Sequence, residues 1–492
     1  MHSLKDLLSK IKYEVVTGSI EKEVDAVVID SRKAEENCLF ICIFGYKVDG
    51  HSFAEDVVSK GASVLVIEKD VDVAKLLCIN PQLTIVKVES SRYAMAYISA
   101  AYYDHPADSL RVIGITGTKG KTTTTYLIKS ILEAAGYKVG LVGTIETIIG
   151  DEHIPAKNTT PESFVLQEYF RRMADAGIQI VVMEVASQGL KLYRTEGFTF
   201  EVGVFTNLSP DHIGPNEHES FEEYAECKSR LFKQCKLGIV NADDDNLLKI
   251  INGHTCTLNT YGFNEDADVH AKNLELINEP GKLGIAFDVA GDCELHAEVP
   301  TPGKFSVYNA LTAISVCNYF GVPCEKIEEA VKNVSVKGRI EMVPTPYPIT
   351  LLIDYAHNAL SLESILMTLK EYNPKRLVCL FGCGGNRSKD RRYQMGEVAG
   401  RLADLTIITS DNPRDEEPQA IIDDIKIGMA KTNGKYVEIL DRKDAIRYAI
   451  NNSRPNDVIV LAGKGHEDYQ EIKGVKYPMD ERVLIREILK EK

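Results

Sequence analysis

Short runs rich in Val, Ile and Leu recur along this chain, at residues 112–116, 178–183, 202–206, 349–353, 377–381, 405–409 and 458–461. Most give way at once to polar or glycine residues, and then to longer stretches with apolar side chains at helical spacing. A strand that feeds a helix and then another strand rejoins its sheet by a crossover, so the pattern predicts βαβ units, parallel sheets and an α/β fold. In open sheets of that kind, ligands bind beyond the carboxyl ends of the strands. The residues directly after each run are therefore the ones to read for chemistry.

At ~150 residues per domain, 492 residues suggest about three domains. Hydrophobic residues at 44% and charged residues at 26% support folded cores and disfavour disorder. The charge sum, 57 basic against 72 acidic residues, is −15, which opposes nonspecific attraction to nucleic acid or anionic lipid. The 11 cysteines are an odd number with no C-x-x-C pair, and no histidine stands at an evident zinc spacing, so free thiols in a reducing compartment are expected. Residues 1–14 do not read as a signal peptide and no membrane span is expected, which points to the cytoplasm. The breaks at Asp104-His105-Pro106 and Lys337-Gly338-Arg339 suggest domains at 1–104, 105–337 and 338–492.

The most chemical segment is Gly117-Thr118-Lys119-Gly120-Lys121-Thr122-Thr123, between a predicted strand over 110–116 and a predicted helix over 122–135 that Gly136 ends. Glycines let backbone N–H groups turn toward a phosphate at a helix N-terminus, Lys121 offers a cation to the outer phosphates, and the Thr122 hydroxyl suits Mg²⁺. The usual G-x-x-x-x-G-K-[ST] pattern would have glycine at position 115, where this chain has Ile115. A glycine-rich turn with an exposed lysine is the alternative.

Glu184 follows the run 178–183, where a carboxylate at a strand's carboxyl end can meet the metal of a bound nucleotide; capping the next turn is the competing role. His212 lies in Ser209-Pro210-Asp211-His212 after the run 204–208, although a single histidine is more often structural than a ligand. Lys228 falls in a predicted amphipathic helix over 221–232, and by composition alone it is a solvated surface charge.

Together with these, the chain carries N-T-T-P at 158–161, M-E-V-A-S at 183–187, F-T-N-L-x-x-D-H at 205–212, G-R-I-E at 338–341, D-Y-A-H at 354–357, D-N-P-R at 411–414 and G-K-G-H-E at 463–467. This ordered set resembles the ATP-dependent Mur ligases, and among them the UDP-N-acetylmuramoyl-tripeptide synthetases, over nearly the whole chain. The resemblance implies an N-terminal UDP-sugar domain, a central P-loop ATPase domain and a C-terminal Rossmann-like domain for the amino acid. It implies a reaction in which ATP phosphorylates the terminal carboxylate of UDP-MurNAc-L-Ala-D-Glu and an amine then displaces phosphate, in peptidoglycan precursor synthesis.

Residue by residue, the resemblance places Gly117 to Thr123 on ATP, with Asn309, Arg339, Asp354 and His357 as further ATP positions. Thr122, Glu184 and His212 match metal ligands, and Lys228 matches a lysine carried as a carbamate that holds a second Mg²⁺. Lys121, Glu184, His212 and Lys228 form the implied catalytic set. Ser31, Thr159, Thr160 and Arg194 fall on UDP-sugar positions. Asp411, Asn412, Pro413 and Arg414, with Arg387, Gly463 and Glu467, fall on the amino-acid pocket. The D-N-P-R form is associated with meso-diaminopimelate, and a guanidinium grips a distal carboxylate in a way that lysine as substrate does not offer. A surface arginine beside Asp415, Glu416 and Glu417 is the alternative for Arg414.

The sequence departs from the family pattern at Ala186-Ser187-Gln188, where S-S-H is usual, at Leu192, at Ile213-Gly214-Pro215-Asn216-Glu217-His218, and at Asn358-Ala359-Leu360, where T-P-D is usual. These changes cluster around the acceptor and leave open a paralogous ligase that takes L-lysine or a modified muramoyl peptide. A folate-glutamate ligase and a catalytically silent nucleotide-binding protein are weaker alternatives. No oligomeric state follows from the sequence, and a monomer is the expectation.

Overall fold

The computed structural model describes residues 1–45, 48–214 and 217–491. The chain forms two compact units, residues 1–269 with 312–323, and residues 270–311 with 324–491.

The first unit holds two large sheets besides the two-stranded antiparallel pair His2–Ser3 and Glu23–Val24. The N-terminal one orders Glu14–Thr17, Thr84–Lys87, Val64–Ile67, Cys38–Ile41 and Ala26–Val28, with only the first strand antiparallel to its neighbour. In the second, Val139–Val142, Ile180–Glu184, Arg111–Thr116, Phe200–Phe205, Cys235–Asn241 and Thr257–Gly262 run parallel in that order. The hairpin Glu146–Ile149 and Glu152–Pro155 extends the Val139–Val142 edge in antiparallel fashion. Ile113, Ile115, Val181, Val182, Val202 and Val204 are completely enclosed, as expected of parallel strands covered on both faces.

This strand order decides where the chemistry falls. Ile180–Glu184, Arg111–Thr116 and Phe200–Phe205 are immediate neighbours, so Glu184, the loop 117–120 and Thr206-Asn207 emerge side by side at one carboxyl edge. The phosphate-loop strand observed is Arg111–Thr116 and its helix Lys121–Ala134, with Gly136 beyond the end at φ +97°. Ile115 is paired opposite Glu184 inside the sheet. The loop therefore begins at Gly117, and the expected glycine position is occupied by a core strand residue.

In the second unit, Thr350–Asp354, Asp457–Ala462, Arg376–Phe381, Leu405–Ile408 and Tyr436–Glu438 form a parallel sheet in that order, edged by the antiparallel Glu341–Met342. Asp354 closes its strand, and Gly463, Gly382 and Ser410 to Arg414 come just beyond the carboxyl ends of the next strands in the order. The unit also contains the antiparallel pair Lys282–Gly291 and Leu295–Val299. Among the described residues, no helix is long and apolar enough to cross a membrane.

Candidate active site

Gly117 adopts φ +148°, and a Cβ there would lie 1.9 Å from Thr206 Oγ1, so only glycine lets the loop pass so close to the next strand. The loop is pinned from that side. Thr118 N donates to Asn207 O at 2.8 Å, Lys119 N to Asn207 Oδ1 at 2.9 Å, and Thr206 Oγ1 to Lys119 O at 2.8 Å. The Thr118 hydroxyl meets Tyr224 OH at 3.1 Å. Gly120, at φ +87°, opens the helix Lys121–Ala134 without a side-chain cap, which leaves the first-turn N–H groups suited to a phosphate.

Lys121 and Lys228 converge on one atom: each Nζ donates to Gly117 O at 2.9 Å. Lys228 is 1% exposed and its Nζ lies 4.5 Å from the Tyr224 ring centre, so it is no surface charge. Burial first, and the Lys121 cation second, push its amine well below the usual lysine range, against a smaller pull from Asp211. The helix carrying it is Phe221–Ser229, followed by a 3₁₀ turn Arg230–Lys233.

Glu184 is the last residue of its strand and is 1% exposed. Its carboxylate accepts from Thr122 Oγ1 at 3.0 Å, Thr144 N at 2.8 Å and Thr144 Oγ1 at 3.0 Å. Two hydroxyls and a carboxylate in contact are the hard oxygen donors that Mg²⁺ takes. Thr144 was not singled out by motif; it lies in the hairpin loop that the sheet folds back over Glu184. Thr159 Oγ1 reaches Thr144 Oγ1 at 3.1 Å. Thr160 is buried, its hydroxyl donating to Glu184 O and accepting from Ala186 N, both at 3.0 Å, so it shapes the strand end. Arg194 donates to Thr160 O at 2.9 Å and to Glu162 at 2.6 Å.

His212 differs from the strand-end placement expected of it. The strand stops at Phe205, and His212 stands in the loop beyond at φ +54°, about half exposed, with Glu217 at 3.4 Å and Asp211 at 4.0 Å. Pro215 and Asn216 of the departing stretch lie outside the described residues. Ser31 opens a 3₁₀ turn capped by Asp30, and its carbonyl accepts from Lys60 at 3.0 Å.

In the second unit, Asn309 is buried in the helix Lys304–Tyr319. Arg339 places its guanidinium carbon 4.8 Å from the Tyr355 ring centre. Asp354 accepts from Ile340 N and Ala356 N, each at 2.9 Å; burial pushes its carboxyl up against the pull of Arg339. His357 Nδ1 is 2.9 Å from Tyr355 O. Gly338 has φ +69°, and a Cβ there would sit 2.1 Å from the Gly465 carbonyl carbon, so the G-R-I-E and G-K-G-H-E motifs interlock. Asn358 accepts from Ser361 N at 2.9 Å as N-cap of the helix Ala359–Glu371, a task the usual threonine can also perform.

The D-N-P-R segment is held by a buried lysine that the motif contained and the residue-type reading passed over. Lys464 is completely enclosed and donates to Asn412 Oδ1 at 2.8 Å, Glu467 at 2.9 Å and the Tyr469 carbonyl. Asn412 Nδ2 donates to Glu467 at 2.8 Å, and Gly463, at φ +109°, leaves room for Asp411, whose Oδ2 a Cβ would meet at 2.9 Å. Arg414 does not pair with the acids beside it. Asp415 accepts from Asn386, and Glu416 from the buried Arg392. Arg414 instead donates from Nη1 to Gly385 O at 2.7 Å and from Nε to Glu471 at 3.3 Å. Pro413 carries the carbonyl that Gly385 approaches, 1.8 Å from where a Cβ would be, and the stem of Arg387 lies near Gly384.

These features define a P-loop nucleotide-binding α/β protein with a further parallel-sheet unit. Three family models match successive stretches: Mur ligase family, catalytic domain, over residues 23–103; Mur ligase middle domain over 115–317; and Mur ligase, glutamate ligase domain, over 338–465. The chain is 45% identical, over 99% of both proteins, to UDP-N-acetylmuramoyl-L-alanyl-D-glutamate–2,6-diaminopimelate ligase of Caldanaerobacter subterraneus subsp. tengcongensis. It is 43% identical, again over 99% of each, to the Clostridium acetobutylicum protein of that name numbered 1. A solved structure of a ligase of the same name is 29% identical with a TM-score of 0.73, covering 99% of both chains. The chain belongs to the Mur ligase family, and like its members it is an ATP-dependent ligase that forms amide bonds.

Proposed function

We propose that this ligase joins meso-diaminopimelate to UDP-MurNAc-L-Ala-D-Glu, in peptidoglycan precursor synthesis in the cytoplasm. The observation that carries the reading is Glu184 seated on Thr122 at the head of the phosphate loop, in a chain matched end to end by relatives bearing that ligase's name. Residues 1–104, 105–337 and 338–492 then serve the UDP-sugar, ATP and the amino acid in turn, and a monomer suffices.

The loop N–H groups and Lys121 bind and orient the ATP phosphates. An oxygen of the peptide's terminal carboxylate attacks the γ-phosphorus as the bond to ADP breaks, giving an acyl phosphate. The diaminopimelate amine then attacks the acyl carbon, phosphate leaves, and the proton lost from nitrogen passes to solvent. Catalysis is alignment and charge neutralisation. Thr122 and Glu184 would hold Mg²⁺, with His212 from the neighbouring loop; the ion supplies screening of the phosphate oxygens. Lys228, whose buried amine gives up its proton more readily than an ordinary lysine, is suited to add to CO₂, losing a proton and becoming a carbamate anion that would hold a second Mg²⁺. Asn309, Arg339, Asp354 and His357 are further ATP positions by the family pattern, and Ser31, Thr159 and Arg194 address the UDP-sugar, with Thr160 fixing the strand end at Glu184. Arg414 takes the distal carboxylate of diaminopimelate, and Glu467 its ammonium, on a frame of Asp411, Asn412, Pro413, Gly463 and Arg387.

The test is phosphate release with ATP, Mg²⁺ and UDP-MurNAc-L-Ala-D-Glu, offering meso-diaminopimelate, L-lysine or no amino acid. Turnover with diaminopimelate, lost in Lys121→Ala, is expected. Turnover only with L-lysine would discard the Arg414 reading, and silence throughout would discard the acceptor.

A further inference from the structure

The helix that carries Lys228 holds a second constellation outside the nucleotide chemistry. His218, Glu223 and Cys227 each offer one ligand atom, and these atoms all lie within 4.8 Å of one another. Glu223 and Cys227 stand one helical turn apart on the same face of Phe221–Ser229, and His218 enters from the preceding loop. The sequence offered no zinc-type set by spacing, because H-x₄-E-x₃-C escapes a search for paired-cysteine patterns; the fold brings these three side chains together.

His218 is completely enclosed, and its Nε2 lies 2.8 Å from Ser187 Oγ. Its Nδ1 has no hydrogen-bond partner among the described residues and faces Glu223 Oε2 at 3.7 Å, too far for a hydrogen bond. In the tautomer in which Nε2 donates to Ser187, Nδ1 presents a bare lone pair toward the Glu223 carboxylate. Burial pushes the imidazole down toward its neutral form. A hydrogen-bond acceptor on the far ring nitrogen, here Ser187, fixes the ring's orientation, as outer contacts do for metal-binding histidines. Glu223 is anchored at its other sides, by Lys191 on Oε1 and by Glu219 N on Oε2, each at 2.7 Å.

We propose that His218, Glu223 and Cys227 form a binding site for a zinc-type divalent ion, distinct from the nucleotide-metal set built on Thr122 and Glu184. Nitrogen, oxygen and sulfur donors together favour a borderline-soft ion over Mg²⁺, and three protein ligands leave a fourth tetrahedral position for water. As the metal–sulfur bond forms, the Cys227 thiol proton leaves to solvent. Cys227 immediately precedes Lys228, so the ion would brace the turn of helix that presents Lys228 to Gly117. This proposal stands apart from the choice of substrate.

The experiment titrates the full-length protein with Co²⁺ in excess Mg²⁺, which occupies the nucleotide-metal set, and then displaces Co²⁺ with Zn²⁺. The expected result is one equivalent of Co²⁺ with tetrahedral visible bands and a thiolate charge-transfer band. Zn²⁺ should abolish both. Cys227→Ser should lose the charge-transfer band and weaken Zn²⁺ binding at least about tenfold, and His218→Gln should weaken it comparably, with metal-free melting curves as the check on folding. A wild-type spectrum without the thiolate band would overturn the proposal, as would Zn²⁺ affinity unchanged in whichever of the two variants folds.

Discussion

Replacing Arg414 by glycine separates recognition from folding. Arg414 sits at φ +52°, a left-handed conformation that costs an L-residue roughly 1–2 kcal/mol and glycine almost nothing. Against that gain stand glycine's greater loss of backbone freedom, about 0.5–1 kcal/mol, and the contacts to Gly385 O and Glu471, each worth on the order of 1 kcal/mol. The losses outweigh the gain by about 0.5–2 kcal/mol, so the melting temperature should fall by only a few degrees. The loss of a charge-assisted contact to a distal carboxylate is worth about 1.5–3 kcal/mol, or about 10- to 150-fold in kcat/KM for meso-diaminopimelate. Arg414→Lys should fall between, keeping charge without the planar fork. Coupled phosphate release at varied diaminopimelate, alongside calorimetry, measures both. An Arg414→Gly enzyme with unchanged kcat/KM would remove Arg414 from the pocket, and a parallel rise in the KM for ATP would show a disturbed fold instead.

Gly117→Ala would press a Cβ to 1.9 Å from Thr206 Oγ1 and should cost at least 2–3 kcal/mol, about the upper range for single substitutions, along with phosphate release; normal activity and melting would refute the loop geometry. Glu184→Gln keeps the shape but removes the charge, and turnover should drop about a hundredfold or more in a phosphate-release assay, with little change if Glu184 serves only as a turn cap. Lys228→Met tests the depressed amine. Because the folded lysine sheds its proton at lower pH than the unfolded one, stability rises with pH between the two values and is lost as pH falls through that window. In CO₂-free buffer the variant should flatten that rise and melt higher at neutral pH while losing activity, and an unaltered pH dependence of melting would contradict the burial argument.

Much of the site was legible because a parallel strand places its chemistry at its own carboxyl end. Gly117 to Thr122 and Glu184 are read directly from apolar runs that stop at polar residues, and the strands Arg111–Thr116 and Ile180–Glu184 follow those runs closely. His212 was less legible, since its strand ends at Phe205 and the intervening loop sets its position. Lys464 went unread although it lies inside a recognised motif, because its burial depends on Asn412, 52 residues away in sequence, as well as on the nearby Glu467.

The sequence by itself determined the βαβ rhythm, the phosphate loop and the family, since each rests on local order along the chain. Tertiary structure decided what non-neighbours do to one another. It put Lys228 out of water and onto the same carbonyl as Lys121, folded Thr144 over Glu184, turned Arg414 from its adjacent acids to Glu471, and gathered His218 with Glu223 and Cys227. Burial and charge proximity are properties of three-dimensional neighbours, and they set how firmly a lysine such as Lys228 holds its proton.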